Sequence, residues 1–261
     1  MSRDRCRYFG TNFKMHQTPA ESAQFYVELA AMTGALEGVQ LFVIPPCTSL
    51  ATVVAASDGH RERIWIGAQN MYWAPEGAYT GEISGPMLAK LGVDLVLLGH
   101  AERREHFHET DVELNKKVLA GIACGLRVLL CVGETAEERS FGVGAETISR
   151  QLKIDLHHFP VEAVDRLLIA YEPVWSIGEG GVPANPADVE AAAKLIRAVL
   201  TDLLGPVGGV VPLLYGGSVN PGNAAGFAAL PDIDGLFVGR AAWSVPGFRD
   251  TLDAALMDHQ S

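Results

Sequence analysis

The sequence has no long apolar run, no CxxC pair, no GxGxxG turn behind its first strand-like segment and no excess of basic charge. Each absence removes a class of function. No stretch approaches the ~18 uninterrupted apolar residues of a membrane-spanning helix. The four cysteines, Cys6, Cys47, Cys124 and Cys131, are widely spaced, which argues against a zinc site or a disulfide framework. A net charge of −11 provides no cationic face for nucleic acid or anionic lipid, so neither is expected as a partner. A small anionic substrate stays open, because it needs only a local pocket of donors. The N-terminal MSRDRCRYFG carries charge where a secretory signal carries an apolar core, so a cytoplasmic location is expected.

What the chain has instead is 48% hydrophobic residues, arranged in short bursts. Eight β-rich runs recur: Arg7–Asn12, Val39–Ile44, Ile64–Ala68, Asp94–Leu98, Arg127–Cys131, Leu167–Tyr171, Val210–Tyr215 and Gly235–Gly239. They lack polar alternation, as parallel strands buried on both faces do. Helix signatures lie between them. Thr18-Pro19-Ala20-Glu21 is a capping box with proline at the first helical position, followed at helical spacing by Phe25, Leu29, Met32 and Leu36. Asn185-Pro186-Ala187-Asp188 opens a second such helix, with Val189, Leu195, Ile196, Val199 and Leu203 on one side. No linker or low-complexity tract breaks the alternation. The pattern predicts an α/β fold, a (β/α)8 barrel forming a single domain over residues 1–261. A doubly wound sheet is the alternative, and the missing GxGxxG speaks against it.

In a barrel, function collects just past the C-terminal strand ends, where the βα loops converge. Those positions hold Asn12 and Lys14, His100 and Glu102, Glu172, the turn Gly216-Gly217-Ser218, and Gly239 with Arg240. The second, third and fifth strands end in apolar, Gln-Asn and Gly-Glu residues. One carboxylate, one histidine and one lysine at a common mouth make a proton-transfer set. Glu172 is followed by Pro173, Val174 and Trp175, and a carboxylate sheltered from water is a better base toward carbon. The carbon proton is acidic enough only if the neighbouring carbonyl is polarised, and His100 and Lys14 can supply those donors. The turns after the seventh and eighth strands offer unpaired N–H groups, the first opening toward a helix start at Asn220-Pro221. Barrels often build a phosphate site there. Taken singly, each signal has a plainer meaning: a structural ion-pair partner, a surface lysine, a satisfied histidine, an ordinary turn. Their convergence on one mouth carries the reading. His106, His108 and Glu109 (HFHE) are metal-ligand types, but they follow on what reads as a solvated helix start, and no metal is expected.

The stretches TNFKM, IPPCTSL, GAQN, GAYTGE, LLGHAERR, CVGE, AYEPVW, YGGSV and DGLFVG, in this order and spacing, resemble the triosephosphate isomerase family over nearly the whole chain. The resemblance implies an intramolecular oxidoreductase of the aldose–ketose isomerase type, without a cofactor, acting on a small phosphorylated sugar. It implies that Glu172 shuttles a proton between adjacent carbons through an enediolate. His100 would be the neutral electrophile, Lys14 the cation that draws in and stabilises the anion, and Asn12 a further donor. Glu102 matches the family's second glutamate beside the site. Backbone N–H groups of Gly178, Ser218, Gly239 and Arg240 would hold the phosphate. The segment from Pro173 to Pro183, with Val174, Trp175, Ser176, Ile177, Glu179 and Gly180, would be the lid that closes and excludes water. The loop Asn70–Ser84, with exposed-looking Met71, Tyr72 and Trp73, would bury itself in a second subunit, Thr80 reaching the neighbour's site. A homodimer is therefore expected.

Four positions depart from the family's pattern. Ala101 stands where a serine usually can hold the glutamate in the open state. Glu179 puts an acid at the lid tip. Pro183 removes a hinge N–H that in the family pairs, on closure, with the tyrosine matching Tyr215. Arg240 replaces a glycine, and its side chain is expected to meet Glu179 on the closing lid. None of the four touches Asn12, Lys14, His100 or Glu172. Changes around the closed pocket fit a longer substrate, so the alternative to glyceraldehyde 3-phosphate and dihydroxyacetone phosphate is a four-carbon isomerase, converting L-erythrulose 1-phosphate to D-erythrulose 4-phosphate. Further alternatives are a barrel aldolase using Lys14 and a non-catalytic phosphate-binding protein.

Overall fold

The structure is a computed structural model that describes residues 7–32, 36–57, 59–177 and 182–257. Eight parallel strands close into a barrel in sequence order: β1 (Arg7–Asn12), β2 (Val39–Ile44), β3 (Ile64–Ala68), β4 (Leu95–Leu98), β5 (Arg127–Val132), β6 (Leu167–Tyr171), β7 (Leu213–Tyr215) and β8 (Gly235–Val238). Closure comes from β1 pairing with both β2 and β8. The helices between them are α1 (Pro19–Met32), α2 (Leu50–Ala56), α3 (Gly85–Leu91), α4 (Ala101–His106) and α5 (Asp111–Ala123). The second half adds α6 (Ala136–Ser140), α7 (Gly144–Asp155), α8 (Pro186–Leu204), α9 (Ala224–Ala228) and α10 (Val245–Leu256). Among the described residues, no helix is long and apolar enough to cross a membrane.

Alternation along the strands divides the core into two layers. Phe42, Ile44, Leu95, Leu97, Leu129, Leu168, Leu214 and Phe237 form one buried cluster inside the barrel. The intervening residues, such as Val43, Val96, Leu98, Val128, Leu130 and Leu213, join the larger cluster with the helices. Gly10 shows how tightly the interior fills, since a Cβ there would lie 2.3 Å from the Phe42 ring. A packed interior pushes the polar chemistry to the strand ends.

Both expected helix starts form. Thr18 N–H donates to Glu21 Oε2 at 2.7 Å, and Asp188 N–H donates to Asn185 Oδ1 at 2.9 Å. Some expectations shift. Leu36 lies outside helix α1 but still packs on the core. β7 starts at Leu213 instead of Val210, because Gly205–Val210 winds into a 3-10 turn. The helix expected at Asn220-Pro221 begins at Ala224. Before it, Asn223 Oδ1 accepts from Asn220 N–H and Asn220 Oδ1 from Gly222 N–H, closing a turn of side-chain bonds.

Candidate active site

The strand ends surround a cavity of about 430 Å³, which gathers Asn12, Lys14, His100, Glu102, Glu172, Ser218, Gly239 and Arg240. Glu172 continues β6, its N–H bonded to Val132 O at 2.8 Å. Gly133 permits this close approach, since a Cβ there would meet Glu172 O at 1.9 Å. The Glu172 side chain is buried, yet held by groups that can let go. Its Oε2 accepts from Ala101 N–H at 3.0 Å, and its Oε1 lies 3.5 Å from His100 Nε2. His100 caps α4, its Nδ1 accepting from Glu102 N–H at 3.2 Å. A nitrogen that accepts is bare, so the ring proton sits on Nε2, on the side of Glu172.

Lys14 lies opposite, its Nζ 2.7 Å from Glu102 Oε1. Burial, the largest influence, would raise the Glu102 carboxyl, but the bond from Lys14 together with the charges of Lys14, His100 and His106 holds the group below its ordinary range. Lys14 has φ 51°, a left-handed backbone that needs outside support. Asn12 Oδ1 accepts Lys14 N–H at 2.8 Å, and Gln69 Nε2 donates to Lys14 O at 2.7 Å and to Asn12 Oδ1 at 3.1 Å. Gln69 was visible only as a polar strand end. Cys131 was also missed as a neighbour of Glu172. Burial first, then the adjacent Glu172 carboxylate, push its thiol well above the ordinary range, so it stays protonated. A barrel-inward position on β5 was the available signal.

At the other end, the N–H groups of Gly217, Ser218, Gly239 and Arg240 make no hydrogen bond among the described residues. Gly216 is different, its N–H being spent on Tyr171 O at 2.8 Å. Arg240 is exposed, lines the cavity and has no ion pair among the described residues. Gly178, Glu179 and Gly180 lie outside the described residues, and with them the expected Arg240–Glu179 contact.

The start of the segment expected to form a lid is anchored. Val174–Ser176 forms a 3-10 turn. Trp175 Nε1 donates to the buried Glu134 Oε1 at 2.7 Å, and the Tyr171 hydroxyl donates to the same carboxylate. Tyr215 is fully buried and its hydroxyl has no well-formed partner among the described residues. Burial pushes it up to about 12, with the nearby Ser176 hydroxyl opposing.

Two readings of the sequence need correction. Met71 is 1% exposed and belongs to the core; Tyr72 and Trp73 are half-buried, stacked on each other at 4.0 Å. The exposed part of that loop is instead residues 75–82, Tyr79 and Thr80 among them. In the HFHE stretch, Glu109 is buried and paired with Lys117 and Arg103, while His106 and His108 face solvent. No group of three metal-ligating side chains assembles among the described residues.

A closed barrel with a carboxylate, an imidazole and an ammonium around one cavity, and unpaired N–H groups at its far end, defines an enzyme that moves protons beside the carbonyl of a phosphate ester. The family description "Triosephosphate isomerase" matches residues 7–255, and the chain belongs to that family. Over 250 residues it is 47% identical to the L-erythrulose-1-phosphate isomerase of Mesorhizobium japonicum, covering 95% of this chain and 96% of that protein. It is 42% identical over 245 residues to the triosephosphate isomerase of Symbiobacterium thermophilum, covering 94% of each. The crystal structure of triosephosphate isomerase from Bartonella henselae superposes with a TM-score of 0.86 at 32% identity, covering 95% of this chain and 98% of that one.

Proposed function

We propose that this chain, as one barrel domain, isomerises short-chain sugar phosphates through an enediolate, and that its substrate is the four-carbon L-erythrulose 1-phosphate. The observation that carries the chemistry is Glu172 Oε1 at 3.5 Å from His100 Nε2, in one cavity with Lys14 and the unpaired N–H groups. L-Erythrulose 1-phosphate is dihydroxyacetone phosphate with a hydroxymethyl replacing one hydrogen on the carbon away from the phosphate. One set of base and donors therefore serves either sugar. The higher identity to the Mesorhizobium protein and the arginine at the cavity rim support the four-carbon substrate. Triose phosphate is the second reading, favoured by the relative of that name.

The N–H groups of Ser218, Gly239 and Arg240, joined by Gly178 of the lid, hold the phosphate. Asn12 and Lys14 face the carbonyl oxygen on C2. The Glu172 carboxylate removes the proton from C3, the C–H electrons form the C2–C3 double bond, and the C2 oxygen takes the negative charge. His100 Nε2–H stabilises that oxygen and relays a proton, so that the C2 oxygen ends protonated and the C3 oxygen ends as the carbonyl. Protonated Glu172 then returns its proton to C2, giving D-erythrulose 4-phosphate. Only protons move, so no cofactor is needed. Lid closure over the phosphate keeps water from the enediolate.

The pairing of Lys14 with Glu102 works against an aldolase, which needs a free amine. Tyr79 is 45% exposed, Met87 57% and Met15 94%, and this apolar surface supports a homodimer through the loop Asn70–Ser84, with Thr80 reaching the partner's site. A monomer by light scattering at micromolar concentration would contradict that. A phosphorylated substrate places the work in the cytoplasm.

The test is turnover of L-erythrulose 1-phosphate in D2O. The wild type should exchange carbon-bound hydrogen for deuterium, and Glu172→Gln should lose turnover by several orders of magnitude while still binding substrate. An unchanged rate would contradict the proposal.

A further inference from the structure

The segment that carries Lys14 contains two residues in the left-handed region, Lys14 with φ 51° and Gln17 with φ 70°. Side chains with a Cβ resist that region, and such a loop persists only where its surroundings over-determine it. Support from its own side comes from Asn12 and Gln69. Support from the opposite side comes from a residue far away in sequence, Trp243, in the loop after β8.

Trp243 holds both ends of the segment. Its Nε1–H donates to Asn12 O at 2.8 Å. Its carbonyl accepts from Gln17 Nε2 at 3.1 Å. Its ring lies against His16, with centroids 4.3 Å apart. Trp243 also lines the cavity and ends the same turn that presents Gly239 and Arg240. The β1 loop and the β8 loop are thus fastened together by one side chain and its carbonyl.

We propose that Trp243 is a positioning residue, which clamps residues 12–17 to the phosphate end of the cavity and so fixes where the Lys14 ammonium stands. The proposal rests on the isomerase reading, in which Lys14 draws in the substrate anion. Without the clamp, the segment relaxes from its left-handed backbone and the ammonium moves away from the anion.

Trp243→Phe keeps a ring against His16 and removes only the indole N–H. Steady-state kinetics on both sugar phosphates and amide hydrogen exchange of residues 12–17 test it. The expected result is a KM about tenfold higher, kcat within about threefold of wild type, and faster exchange in that segment. A purely structural role would lower the active fraction, which reduces kcat and leaves KM alone. Gln17→Leu removes the second bond, together with the one Ser22 Oγ donates to Gln17 Oε1 at 3.2 Å, without touching the tryptophan, and should raise KM about threefold. It decides the matter if Trp243→Phe does not fold. Unchanged exchange, or a fall in kcat at constant KM, would overturn the clamp. A wild type that turns over neither sugar would count against the isomerase reading alone, with the exchange data still deciding the clamp.

Discussion

The main-chain N–H of Ala101 donates to Glu172 Oε2 at 3.0 Å. The proposed base is therefore parked by a backbone donor at the start of α4, next to the histidine it would work with. The family's usual serine would add a hydroxyl to the same spot, whereas the methyl here adds nothing. Ala101 is 5% exposed, so a serine hydroxyl would find the carboxylate as its partner.

Ala101→Ser should accordingly stabilise the parked glutamate by about 1 kcal/mol, the worth of a typical hydrogen bond. The expected effect is a fall in kcat/KM of roughly fivefold, with the melting temperature equal or higher. A serine variant with undiminished kcat/KM would show that the parked contact does not compete with catalysis.

Gly217 faces a buried obstacle. A Cβ there would lie 2.2 Å from the Tyr215 hydroxyl oxygen and 2.8 Å from Ser176 Oγ. Tyr215 is fully buried and cannot retreat, so Gly217→Ala should displace the turn that offers the Gly217 and Ser218 N–H groups. Overpacking of this kind costs about 1–3 kcal/mol of stability, and KM should rise about fivefold or more by the same energy. Adding Tyr215→Phe removes the oxygen but leaves the ring carbon Cζ, 2.5 Å from that Cβ, so it should restore only a small part of the loss, read by KM and thermal denaturation.

The Lys14–Glu102 pair sets a direction for pH dependence. Glu102 has its carboxyl held below its ordinary 4.5, so the folded state binds this proton less readily than the unfolded chain. The stability it contributes is fully present above pH 4.5 and is lost as pH falls through the depressed folded value. Glu102→Gln should therefore be less stable than wild type near neutrality, with the gap shrinking on acidification. Glu102 is 39% exposed, so the gap is small, as screening dictates. Urea titrations at neutral pH and below pH 4 would check it, and a gap that widens in acid would contradict it.

Arg240 lines the cavity with no ion pair among the described residues. If its guanidinium meets the substrate phosphate, Arg240→Ala should raise KM about tenfold, in keeping with a charge-assisted hydrogen bond. It should also weaken the salt dependence of KM. An unchanged KM at low salt would assign the side chain to solvent.

The barrel was legible because its strands are apolar without alternation and helices such as α1 and α8 open on capping side chains, which are local signals. The residues that line the candidate site were legible because a barrel converts strand ends into neighbours. What escaped were contacts that depend on direction. Met71 reads as exposed in a row with Tyr72 and Trp73, yet it turns inward to the core. Gln69, Cys131 and Trp243 act across the barrel mouth, and nothing beside them in sequence marks their partners. β7 was overextended because valines at 207, 210 and 211 suit a strand, while Gly205, Gly208 and Gly209 among them allow the 3-10 turn that forms.

The most direct test of the account is the ratio of kcat/KM on L-erythrulose 1-phosphate to that on glyceraldehyde 3-phosphate, measured with the same purified protein. The account expects the four-carbon sugar to be favoured by about tenfold or more, the discrimination open to a pocket that recognises one extra hydroxymethyl. A ratio favouring the triose would contradict the four-carbon assignment, and turnover of neither would contradict the isomerase itself.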